Sequence, residues 1–91
     1  MTRRNFFGEI IPANSQEMVE AMASKGHIGG DELYALLSES TNNGDPWDGW
    51  GAEVMPMVEG DTVFTTVGYA EKETLIRDLR AAGIRTIITE D

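Results

Sequence analysis

The last third of the chain constrains the fold most, because helix, stop and strand signals follow one another there without a gap. From Ala70 onward, Leu75, Ile76 and Leu79 fall on one helical face, with Glu73 and Arg77 spaced as a favourable i,i+4 pair. Gly83 stands where a left-handed C-terminal residue is expected. Ile84-Arg85-Thr86-Ile87-Ile88-Thr89 is then a β-branched run, which predicts a strand. A helix that turns directly into a strand within 91 residues implies a mixed α/β core. At this length the expectation is one domain spanning residues 1–91.

The preceding segments read less sharply. Phe6-Phe7-Gly8-Glu9-Ile10-Ile11 is aromatic and β-branched and is stopped by Pro12, so a first strand is predicted. Asn14 with Glu17 three residues on marks a capped helix start, and Met18, Val19 and Met22 supply its apolar face before Gly26 ends it. After the Gly29-Gly30 breaker, Asp31 and Glu32 sit as acids do at a helix N-terminus. Leu33, Leu36 and Leu37 then follow at helical spacing, so a second helix from Asp31 to Ser40 is predicted. Asn42 to Ala52 has loop composition. Val54 to Val58 and Thr62 to Val67, joined by Glu59-Gly60-Asp61, predict a hairpin, with Pro56 placing its first strand at an edge or bulge.

Treating the Asp31 to Ser40 helix as an insertion, the order becomes β-α-(α)-β-β-α-β. This predicts an α+β, ferredoxin-like sandwich: a four-stranded antiparallel sheet with helices on one face. Another α+β arrangement, in which Phe6 to Ile11 pairs elsewhere, is the alternative.

Charge narrows the partners. The net charge is -9, and between Glu9 and Asp61 Lys25 is the only lysine or arginine against eleven acids. Lys72, Arg77, Arg80 and Arg85 nearly balance the acids of the C-terminal third. An acidic field repels phosphate backbones, so direct nucleic-acid binding is not expected and a basic protein surface is the favoured partner. Aromatic placement also argues against RNA recognition, since Thr62 to Val67 holds only Phe64 and Ile84 to Thr89 holds none. No cysteine is present, which excludes disulfides and thiolate chemistry. The apolar run after Arg3 and Arg4 is too short for a signal peptide, and no stretch is long enough to span a membrane, so the cytoplasm is the expected location.

Catalytic equipment is thin. His27 is the one histidine and follows a helix-ending glycine, a position that suits a cation at a helix C-terminus better than a general base. The Gly26-His27-Ile28-Gly29-Gly30 segment has neither a P-loop lysine nor dinucleotide spacing. In Asn43-Gly44-Asp45-Pro46-Trp47-Asp48-Gly49 the oxygen donors do not fall in calcium-loop register. Neither a metal nor a cofactor is expected, and an enzyme is not.

The remaining feature is Asp45-Pro46-Trp47-Asp48-Gly49-Trp50-Gly51, which holds both tryptophans in a glycine-rich acidic stretch. Tryptophans in a core this small can fold back over the sheet; in a loop they can serve as interface anchors. The second role predicts a docking site of Asp45, Trp47, Asp48, Trp50 and Glu53, with Asp31 and Glu32 adding charge that steers association. The expected function is a non-enzymatic protein-binding module or inhibitor that presents this acidic surface to a larger basic protein. A phage-type, anti-CRISPR-like nucleic-acid mimic acting against a nucleic-acid-processing complex is one specific form. The alternatives are a toxin-neutralising immunity protein, or a small-ligand domain or cofactor-free enzyme, acting as a homodimer, with a cavity lined by Tyr34, Trp47, Trp50 and Tyr69.

Overall fold

The computed structural model describes residues 3–4, 7–8, 10–26, 32–40 and 49–89. In chain order its elements are β1 (Arg3–Arg4), β2 (Ile10–Ile11), α1 (Ser15–Ser24), β3 (Leu33–Ser40), β4 (Gly49–Pro56), β5 (Phe64–Tyr69), α2 (Lys72–Ala81) and β6 (Thr86–Thr89).

Both helices end as their sequences require. The Asn14 side chain accepts the Glu17 N–H at 3.0 Å, satisfying one orphan donor at the start of α1, and the Glu17 carboxylate accepts the N–H of Ala13, just before the cap, at 2.8 Å. Met18 and Met22 turn inward with Ala21, whereas Val19 is left exposed. At the end of α2, Gly83 has φ +99° and its N–H reaches the Arg80 carbonyl, while the Ile84 N–H reaches the Leu79 carbonyl. These two bonds make a Schellman motif, and buried Leu79 and Ile84 supply its apolar contact. Arg77 lies beside Asp78, at 3.5 Å, rather than against Glu73.

Four strands form the main sheet in the order β5-β4-β3-β6. The β5–β4 and β4–β3 pairs are antiparallel, and the β3–β6 pair is parallel. The sheet is therefore mixed rather than antiparallel throughout. Its order also departs from the ferredoxin-like expectation, because β2 leaves this sheet and pairs with β1, placing Ile10 opposite Arg4 and Ile11 opposite Arg3. Of the predicted strand Phe6 to Ile11, Ile10 and Ile11 thus pair elsewhere, as in the alternative arrangement, while Phe7 and Gly8 form a turn and Phe6 and Glu9 lie outside the described residues. β5 and β6 run the same way at opposite edges, so α2 has to carry the chain across β4 and β3, the crossover that a parallel return demands.

The segment predicted as a second helix is β3. Leu33, Ala35 and Leu37 are buried on one face, and Tyr34 and Leu36 are half-buried on the other. An interior strand whose second face is also apolar reads as a nearly continuous apolar run, and Leu33, Leu36 and Leu37 then mimic helical spacing by coincidence. The hairpin of β4 and β5 is present, but its first strand starts at Gly49. The stretch 49–52, expected as loop, is therefore sheet, while Met57 and Val58 lie beyond the strand and are exposed. Pro56 ends an interior strand instead of marking a sheet edge.

One face of the sheet meets both helices. Leu33, Ala35, Leu37, Ala52, Val54 and Phe64 from the strands join Met18, Met22, Leu75 and Leu79 from the helices in a single cluster. Thr66 is the fully buried polar residue of this layer, and its hydroxyl donates to the Pro12 carbonyl at 2.6 Å, tying β5 to the chain just before α1. No helix among the described residues is long and apolar enough to cross a membrane.

Candidate functional site

Trp50 is held by the two glycines around it. Gly49 has φ +113°, and a Cβ there would collide with the Tyr69 carbonyl oxygen; a Cβ on Gly51 would lie 2.7 Å from the Thr66 carbonyl oxygen. The absence of both side chains lets β4 approach the backbone of β5. Opposite Gly51, β5 carries the extra residue of a bulge, since Trp50 pairs with Tyr69 but Ala52 pairs with Thr66. Gly68, at φ +81°, absorbs that extra residue.

This geometry places Trp50 on the helix-facing side of the sheet, half-buried against the core, between Glu39 on β3 and Tyr69 on β5. The Lys72 ammonium from the first turn of α2 sits 5.4 Å from its ring centre, within cation–π range. Tyr69 extends the same corner inward, and its hydroxyl donates to the buried Asp78 carboxylate at 2.7 Å. The corner locks α2 to the sheet. Tyr69→Phe removes the donor from a buried carboxylate and is expected to lower stability by about 1–3 kcal/mol in urea denaturation. A loss within about 0.3 kcal/mol would mean that the bond contributes nothing net.

Of the predicted docking residues, the described ones separate. Trp50 lies on the helix side, whereas Glu53 lies on the opposite face of the sheet, exposed, with its carboxylate accepting the Thr62 hydroxyl at 2.8 Å. Glu32 is exposed just before β3, and its carbonyl accepts the Met57 N–H at 2.7 Å. Asp31, Asp45, Trp47 and Asp48 lie outside the described residues, as does His27. Strand alternation separates Trp50 and Glu53, because three positions along β4 move a side chain to the other face. The same alternation puts Tyr34 across the sheet from Trp50 and Tyr69, so these three cannot line one cavity. Instead the Tyr34 hydroxyl approaches the Met55 sulfur at 3.7 Å on the face away from the helices.

What does come together is an acidic end. The Glu32–Met57 and Glu53–Thr62 bonds bring the start of β3, the end of β4 and the hairpin tip into contact. Glu32, Glu53, Glu59 and Asp61 are all exposed there, beside exposed Met57 and Val58. Two features of the site lay outside the sequence reading. The Tyr69–Asp78 pair carries no sequence signal, since nothing local distinguishes Asp78 among the chain's sixteen acids. The apolar second face of β3 is signalled by the unbroken apolar run Leu33-Tyr34-Ala35-Leu36-Leu37, which leaves both faces of a strand apolar. Among the described residues no three histidine or carboxylate side chains converge to hold a metal.

The described residues thus define an α+β protein with a four-stranded mixed sheet, two helices and an acidic hairpin end. Comparison with known proteins yields no matching family model, no matching curated protein and no matching solved structure.

Proposed function

We propose that the chain is a non-enzymatic protein-binding module, an inhibitor-like acidic domain that docks on a basic surface of a larger protein. The supporting observation is the acidic end itself: four exposed carboxylates from three chain segments, with no lysine or arginine in those segments. Such an arrangement favours encounter with a cationic groove and disfavours contact with phosphates. A groove built for a nucleic-acid backbone is one surface of that kind, so the specific form proposed is a nucleic-acid mimic acting on a nucleic-acid-processing complex, as anti-CRISPR proteins do. An immunity protein directed at a basic toxin would use the same surface.

The test is the salt dependence of association with a purified cationic partner. Raising ionic strength from low to physiological is expected to slow association about tenfold or more, because exposed charges are screened beyond about 8 Å at 0.15 M. Glu53→Lys and the pair Asp45→Lys plus Asp48→Lys are expected to act in the same direction. Association indifferent both to salt and to these charge reversals rejects the electrostatic reading.

A further inference from the structure

The helices cover one face of the sheet. The strand residues on the other face are Tyr34, Leu36 and Ser38 of β3, Glu53 and Met55 of β4, Thr65 and Val67 of β5, and Thr86 and Ile88 of β6. Its centre is apolar. The register sets Tyr34 between Met55 and Thr86, and Leu36 between Glu53 and Ile88. Ile88 is 47% exposed, and the patch runs on toward Met57 and Val58, which are 50% and 76% exposed. A β-sheet with an apolar face is ordinarily closed by a second layer. Among the described residues, none supplies one here.

Charge differs between the two sides. The exposed surface of the helix layer mixes signs, with Glu20, Glu71 and Glu73 against Lys25, Arg77 and Arg80. Among the described strand residues on the other face Glu53 is the only charged one, and the tip beside it adds Glu59 and Asp61, against exposed Arg85 just before β6 at that end. A second copy is a poor occupant, since apposing two such faces brings like charges together and the helix layer of a copy offers little net positive charge.

We infer that this face is the docking surface of the binding module, and that its occupant is a basic amphipathic helix of the partner. The helix lays an aliphatic stripe over Tyr34, Leu36, Met55 and Ile88 and sets lysines or arginines against Glu53 and the tip. A helix fits because a sheet face is covered by side chains recurring at i, i+3, i+4 and i+7, whereas an added strand would use the sheet edge and leave the face open. The inference rests on the protein-binding reading and adds to it the location of the contact and the form of the partner.

The test uses the full chain and two synthetic peptides of about 18 residues, long enough for five turns. Both contain the same leucines and lysines; in one the leucines share a helical face, and in the other they are scattered around it. The amphipathic peptide is expected to bind at least tenfold more tightly by fluorescence anisotropy, with amide shift changes centred on residues 34–38, 51–55 and 86–88. Ile88→Lys and Met55→Lys, on exposed or half-buried positions, are each expected to weaken it about tenfold with circular dichroism unchanged. Equal, salt-sensitive binding of both peptides overturns the face while leaving the electrostatic module standing. Binding of neither peptide overturns both. Shift changes confined to α1 and α2, or a stable dimer that buries Ile88 without peptide, overturn the assignment of this face to a basic helix.

Discussion

Gly49→Ala is expected to lower the free energy of unfolding by about 3 kcal/mol, from two costs that add at one residue. The backbone there has φ +113°, a conformation that L side chains rarely adopt and that costs roughly 1–3 kcal/mol to hold. The new methyl group would also run into the Tyr69 carbonyl oxygen, which belongs to a neighbouring strand and cannot rotate away as a side-chain tip can. Relief requires β4 and β5 to part at the bulge, which loosens Trp50 and the Tyr69–Asp78 bond behind it. Gly60→Ala is the control, since there the nearest atom is a Pro56 ring carbon at 3.1 Å and no positive φ is involved. Urea denaturation of the two variants gives the comparison. A Gly49→Ala variant as stable as Gly60→Ala would mean that β4 and β5 do not approach as closely as described.

Leu37→Ala is expected to cost about 3 kcal/mol, and Leu36→Ala about 1 kcal/mol or less. Leu37 is fully buried against the helices, so its removal leaves a cavity that the layers above and below cannot both close. Leu36 is half-buried on the face away from the helices, so less apolar area is lost with its side chain. The pair also separates strand from helix at this segment. On a helical stripe, adjacent leucines that both face the core would lose comparable amounts, whereas on a strand they point to opposite sides. Similar losses at the two positions would contradict β3 as placed here.

The elements whose signals are local were legible in the sequence. The start of α1 rests on Asn14 and Glu17, and the end of α2 rests on Gly83 and Ile84. Each of these involves residues within a few positions of one another. The β4–β5 hairpin was legible for the same reason, because the turn lies between its strands. At the candidate site, acidity and the position of the tryptophans were visible, but the grouping was not. Trp50 and Glu53 stand three residues apart and face opposite sides of the sheet, whereas Glu53 and Thr62, nine apart, are bonded. Distance along the chain was a poor guide once a strand intervened.

What this sequence determined by itself is a mixed α/β chain with capped helices, a C-terminal helix that turns directly into a strand, and an acidic middle. Propensity, caps and charge act over a turn or two and need no partner to be read. Only the tertiary structure decided that Leu33 to Ser40 is an interior strand, that β2 leaves the main sheet, and that β6 returns parallel beside β3. Those outcomes depend on which surfaces meet. A segment such as Leu33-Tyr34-Ala35-Leu36-Leu37 buries apolar area as either helix or strand, and the choice falls to the neighbours that pair with its backbone on both sides.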